Sequence, residues 1–129
     1  MESVELSGSP MPEQADNDLE RRIRETFSGY SFEVRWPYAR PLNPECGSVE
    51  VELTTKNGDK YLSNFVTLEY IRRISRKNKV KGECADGVYY WMPQMVVIER
   101  ITPENIRKTI DYMIEHLEID ETFEKLEES

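Results

Sequence analysis

Residues 87–117 read Gly-Val-Tyr-Tyr-Trp-Met-Pro-Gln-Met-Val-Val-Ile-Glu-Arg-Ile-Thr-Pro-Glu-Asn-Ile-Arg-Lys-Thr-Ile-Asp-Tyr-Met-Ile-Glu-His-Leu, and this stretch decides the fold. An aromatic and β-branched block, which is typical of strands, runs directly into a helix start. Thr102 supplies the cap, Pro103 suits the first helical position, and Glu104 favours the positive end of the helix. The apolar face of the predicted helix consists of Ile106, Ile110, Met113 and Leu117.

The aromatic block itself predicts two strands, at residues 88–92 and 95–100. Pro93 cannot donate a ladder hydrogen bond, so the pattern favours a hairpin that turns across Met92-Pro93-Gln94. A single long edge strand with a kink at Pro93 is the alternative.

A second hairpin is predicted around Asn57-Gly58, because a type I′ turn needs two residues with φ > 0 between alternating runs. A two-residue loop places Leu53 opposite Leu62 and Val51 opposite the polar Asn64. A bulge near Asn64 would then bring Phe65 to the apolar face.

Other elements follow from caps and periodicity. Asp16 or Asn17 caps a helix that runs through Phe27, and residues 30–38 alternate as a half-buried strand. Thr67 caps a helix that ends between residues 78 and 82, and Asp120 caps a short last helix that contains Phe123 and Leu126. The helix after Thr67 has a predicted buried stripe of Leu68, Ile71 and Ile74.

Together these elements predict an α+β fold, with a single antiparallel sheet of four or five strands and helices packed on one face. Residues 1–15 are rich in Ser, Gly, Pro and Glu and are expected to form a disordered tail. Residues 16–129 are expected to form one domain, since 129 residues suffice for one buried core.

The charge is unevenly distributed. The formal net charge is −8, yet residues 21–114 carry 16 basic and 12 acidic residues, so the acidity lies at the two ends. Acidic ends disfavour phosphate backbones as general partners. No leader and no apolar run of roughly 18 residues is evident, so we expect a cytoplasmic protein with no membrane partner.

The sequence offers little support for catalysis or metal binding. The chain has one histidine, His116, and two cysteines, Cys46 and Cys84, without metal-ligand spacing. His116 is better explained by a position at the end of a helix. Pairing of Cys84 with His116 would give a thiol nucleophile, but a free cysteine is more often a small buried hydrophobe. We therefore expect no enzymatic activity, no metal and no cofactor.

Two surfaces are candidates for binding. The first combines aromatic anchors with outward-facing acidic side chains of a strand, and such aromatics serve equally well in a core or an interface. Its residues are Trp36, Tyr38, Tyr89, Trp91, Glu50 and Glu52. The second is a basic run that would suit nucleic acid. Its residues are Arg72, Arg73, Arg76, Lys77, Lys79 and Lys81.

The pattern Gly87-x-Tyr89-x-Trp91, Met95-Val96-Val97 and Ile106-x-x-Thr109-Ile110 resembles a block in small, uncharacterised bacterial proteins. The size, acidity and architecture are also similar to those of immunity proteins of bacterial toxin systems. This resemblance implies neutralisation of a toxin by binding. We therefore expect a non-enzymatic protein-binding module, with a nucleic-acid-associated regulator that uses residues 72–81 as the alternative. The sequence does not fix the oligomeric state.

Overall fold

The computed structural model describes residues 11–36 and 41–127, with side chains from residue 18 onward. None of the helices in these residues is both long and apolar enough to cross a membrane. In chain order the elements are α1 (Met11–Phe27), β1 (Ser31–Arg35), β2 (Ser48–Thr54), β3 (Lys60–Val66), α2 (Leu68–Lys81), α3 (Cys84–Gly87), β4 (Met95–Val97), α4 (Pro103–Glu115), α5 (Ile119–Thr122) and β5 (Glu124–Leu126).

The five strands form one sheet, which confirms the predicted α+β class. β1, β2 and β3 are neighbours in that order and pair antiparallel. Two short strands share the far side of β3. β5 pairs antiparallel with its first half, and β4 pairs in parallel with its second half. β3 is therefore the central strand, and β1 lies at the edge.

The hairpin between β2 and β3 differs by one residue from the predicted register. Leu53 lies opposite Tyr61, and Val51 lies opposite Ser63. The loop is longer than predicted, because the Thr55 N–H donates to the Asp59 carbonyl and Gly58 takes φ +91°. This turn with a left-handed glycine brings Phe65 into the core without the predicted bulge at Asn64.

The core lies between one face of the sheet and the helices α1, α4 and α5, as expected for helices packed on one face. On the sheet side it contains Val49, Val51, Leu53 and Phe65, and the three isoleucines at four-residue steps in α4 cover them. Phe123 meets the Phe65 ring edge-on at 6.1 Å between centroids. The other buried members of this core include Phe27, Tyr61, Ile106, Ile110, Ile114 and Ile119.

α2 is packed differently from the prediction. Its cap is correct, because Thr67 accepts the Tyr70 N–H, and the left-handed Gly82 ends the helix. The predicted buried stripe is wrong at Leu68, which is 59% exposed, whereas Ile71 and Ile74 are half-buried. Asn78 is the one buried residue of α2. This helix therefore leaves most of its surface available.

The predicted hairpin across Pro93 is not formed, and residues 88–92 are not a strand. β3 supplies the partner instead. The Asn64 N–H donates to the Gln94 carbonyl at 3.0 Å, and the Ser63 hydroxyl donates to the same oxygen at 2.7 Å. β4 therefore pairs with β3 and not with residues 88–92. It runs parallel to β3 and ends at Val97.

Both ends of the described chain also differ from prediction. α1 begins at Met11 rather than at Asp16 or Asn17, so it includes the last five residues of the predicted tail. After α4, Leu117 adopts φ +59°, and the last helix ends at Thr122. Leu126 therefore lies in β5 rather than in a helix.

Candidate binding groove

The face of the sheet opposite the core is polar. Side chains alternate along a strand, so residues between the core positions point to this second face. Arg35 of β1, Glu50 of β2 and Asn64 of β3 lie side by side across it. Tyr70 of α2 lines the same cavity as these three residues, together with Ser48 at the start of β2.

Two adjoining cavities lie along this face, and together we name them the Trp36 groove. The first, of about 460 Å³, lies between α2 and residues 41–48. The second, of about 390 Å³, lies over Arg35, Glu50 and Asn64. Trp36, Ser48 and Tyr70 line both cavities and so connect them. Each volume is in the range of about 300–1,000 Å³ that is typical of binding clefts.

The aromatic block after α3 flanks this groove. The Tyr90 ring packs edge-on against Tyr70 with 6.4 Å between centroids, and the Met92 sulfur lies 3.9 Å from the Ser48 hydroxyl. Tyr89 and Trp91 turn outward and are 56% and 70% exposed. The block therefore divides its side chains between groove and exterior.

Trp36 is 39% exposed at the end of β1. The strand ends at Arg35, so Trp36 does not join Phe32 and Val34 on the core face as its spacing suggested. Trp36, Tyr89 and Trp91 thus belong to the surface rather than to the core. Tyr38 lies outside the described residues.

The two acidic candidates differ in accessibility. Glu50 is exposed, as predicted. Glu52 points to the same face but is only 8% exposed, because the Arg35 guanidinium lies across it at 2.5 Å. Arg35 also donates to Glu33 at 3.0 Å, and this hydrogen bond together with the charge of Glu52 raises the pKa of the Arg35 guanidinium. Glu52 is therefore a partner of Arg35 and not an open acidic contact.

The basic run lies on α2, and all six side chains are exposed. Arg73 and Lys77 line the first cavity of the Trp36 groove, beside Ile74. Arg72 and Arg73 both pair with Glu69, at 3.5 and 3.3 Å. The structure thus brings part of the basic run and part of the aromatic set to one groove, which the sequence had placed on separate surfaces.

Residues with nucleophilic or ligand chemistry are dispersed. Cys46 and Cys84 are free, half-buried thiols, and Cys46 lines the first cavity. His116 caps the end of α4, as predicted, and stacks on Tyr112 at 3.9 Å. Within residues 18–36 and 41–127, no group of three His, Cys, Asp or Glu side chains could hold a metal ion.

Sequence reasoning missed Ser48, Tyr70 and Met92 as members of the groove. Tyr70 lies in the first turn of α2, and Met92 is the last residue of a segment predicted to be a strand. No spacing in the sequence links them, because they meet only where α2 and residues 88–92 fold over the end of β2.

Comparisons with known proteins add no relatives. No protein-family model matches the chain, and no significant similarity to a curated protein or to a solved structure was found.

Proposed function

We propose that this protein is a non-enzymatic binding module that docks a segment of another protein in the Trp36 groove. The observation that carries the proposal is that two cavities of binding-cleft size adjoin and share Trp36, Ser48 and Tyr70 as lining residues. Aromatic residues are enriched among the side chains that dominate binding energy at protein interfaces. Tyr89 and Trp91 are further exposed aromatic residues, and exposed apolar side chains of this size are typical of binding surfaces.

The charges of the groove specify the chemistry of the segment. Arg73 and Lys77 lie at the α2 end, and Glu50 lies at the sheet end. A complementary segment carries an acidic residue near Arg73 and Lys77, an apolar or aromatic residue between Trp36 and Tyr70, and a basic residue near Glu50. Such matching of opposite charges favours one orientation of the segment and suppresses the reverse one.

Within this class, we propose an immunity-type inhibitor of a bacterial toxin as the specific role. The exposed acidic residues of the last elements, Asp120, Glu121, Glu124 and Glu127, support steering of a basic partner. Docking in the groove would then follow this electrostatic encounter.

The test is affinity capture from the native host with the wild type, Trp36→Ala and Tyr112→Ala. Tyr112 is a matched control, because it is an exposed aromatic residue on α4, outside the groove. The proposal predicts a protein that the wild type and Tyr112→Ala retain and that Trp36→Ala loses. Equal capture by all three, or no capture even at low salt, would contradict it.

A second candidate function is association with nucleic acid, favoured by the exposure of all six basic residues on the single helix α2. A gel shift with a short duplex DNA and a short single-stranded RNA tests it. Phosphate binding should weaken steeply between about 50 and 200 mM salt. Absence of a shift at low salt eliminates this candidate.

A further inference from the structure

Within residues 11–36 and 41–127, no strand pairs with the outer edge of β1. The alternation of hydrogen bonds in the sheet identifies which backbone groups point to this edge. Asn64 donates its N–H away from β2, to Gln94, and the Val66 carbonyl likewise accepts from Ile98. Backbone groups alternate in direction along a strand, so the odd-numbered residues of β3 bond to β2. These residues lie opposite odd-numbered residues of β2, and the even-numbered residues of β2 therefore bond to β1. Glu33 and Arg35 face those even residues.

The backbone N–H and C=O groups of Phe32 and Val34 therefore point away from β2, toward the open edge of the sheet. Among the described residues, no backbone hydrogen bond outside the β1–β2 ladder involves either of them. An edge of this kind is a template for another strand.

We propose that the edge of β1 binds β1 of a second copy of this chain, antiparallel, with Val34 opposite Val34. In this register the two valines form a hydrogen-bonded pair that exchanges two backbone bonds. Glu33 of each copy then lies directly opposite Arg35 of the other. The two-fold symmetry repeats this ion pair, so the strand is complementary to itself in charge.

Neighbouring registers lack this match. A shift that sets Glu33 opposite Glu33 places like charges on directly opposed residues, which destabilises a strand pair. A shift that sets Phe32 opposite Phe32 leaves Glu33 opposite Ser31 and removes both ion pairs. The sequence Ser-Phe-Glu-Val-Arg thus selects the register centred on Val34.

The pairing joins two five-stranded sheets into one continuous sheet. Opposed residues of an antiparallel pair lie on the same face, so both Trp36 grooves open on the same side of the dimer. The inference does not depend on what the grooves bind, because it uses only the backbone and charges of β1.

Sedimentation equilibrium over a range of concentrations tests the dimer. The average mass of the wild type should rise from 15.2 kDa toward twice that value. Glu33→Lys sets a cation opposite Arg35 of the second copy, and we expect it to weaken association about tenfold or more. Glu99→Lys is the control, because Glu99 is exposed, lies beyond β4 and makes the same change in charge.

Amide hydrogen exchange locates the interface. Raising the protein concentration should slow exchange at Phe32 and Val34 and leave Glu33 and Arg35 unchanged, since those two amides already bond to β2. A monomer at every concentration, a dimer insensitive to Glu33→Lys, or protection without this alternation would each overturn the proposal. Circular dichroism of Glu33→Lys establishes that loss of the dimer is not loss of the fold.

Discussion

Replacing Gly87 by alanine should separate α2 from α3. Gly87 closes a turn in which Cys84, Ala85 and Asp86 also have positive φ, from 52° to 62°. A Cβ at position 87 would lie 2.4 Å from the Ser75 carbonyl oxygen in α2. Ordinary contact begins at 3.4 Å, so the backbone of one element must move by about 1 Å.

Gly29→Ala is the matched control. Gly29 has φ +75° and Gly87 has φ +80°, but a Cβ at position 29 meets nothing within 4 Å. The control therefore measures the cost of a left-handed alanine alone, about 1 kcal/mol. Gly87→Ala adds the overlap with α2, for a total of about 3 kcal/mol.

Urea and thermal unfolding measure the difference. For a domain of this size we expect the midpoint temperature to fall by about 4 °C in Gly29→Ala and by about 10 °C in Gly87→Ala. Because α3 precedes the segment that sets Tyr90 against Tyr70, Gly87→Ala should also weaken binding in the Trp36 groove. Equal destabilisation by the two substitutions would refute the close approach of Gly87 to α2.

Two further predictions concern polar contacts. The Tyr30 hydroxyl donates to Asp111 at 2.6 Å, and burial, followed by this hydrogen bond, raises the pKa of Tyr30 above its ordinary value of 10.0. The stabilisation from Tyr30 is therefore complete below about pH 10 and is lost as the pH rises toward the folded-state pKa. Tyr30→Phe should lower the free energy of unfolding by about 1 kcal/mol at neutral pH, and the difference should shrink above about pH 10 in urea titrations; a constant difference would count against the Asp111 contact. Thr67 is 1% exposed and accepts the N–H groups of Tyr70 and Gly47. Thr67→Ala should cost about 2 kcal/mol and Thr67→Ser under about 1 kcal/mol, because serine keeps the acceptor; similar losses in the two variants would show that the hydroxyl does not matter.

Local sequence signals predicted the elements whose ends are marked by capping or turn residues. Thr102 and Thr67 cap α4 and α2, and the Asn57-Gly58 pair lies in a hairpin turn. The register of that hairpin was wrong by one residue, because the sequence does not show that Thr55 bonds to Asp59 and so lengthens the loop. A single hydrogen bond of this kind shifts every opposed pair in the ladder.

Residues 88–97 show where local propensity was insufficient. Their aromatic and β-branched composition predicted two paired strands, yet β3 offered an edge that already had a Ser63 hydroxyl and an Asn64 amide aimed at residues 93 and 94. Competition from this tertiary contact left residues 88–92 outside the sheet. Residues 63–64 and 93–94 are about 30 positions apart, so a local sequence pattern cannot show that they compete with the predicted hairpin.

The candidate site was only partly predictable for the same reason. Composition predicts that some aromatic residues stay exposed, since a sheet covered by helices on one side cannot bury all of them. It does not identify Trp36, Tyr89 and Trp91 as the exposed ones. The burial of Glu52 beneath Arg35 does not follow from composition either, because it depends on a neighbouring strand. Nor does the placement of Lys77 and Trp36 on the same cavity, which depends on the path of α2.

The most direct test of the Trp36 groove as a docking surface is the affinity of the captured host protein for three purified variants, measured by calorimetry. Trp36→Ala should weaken binding by about thirtyfold or more, as expected for a buried aromatic anchor. Lys77→Glu should weaken it with an effect that fades at high salt, and Tyr112→Ala should bind like the wild type. Unchanged affinity in Trp36→Ala would contradict docking in the groove.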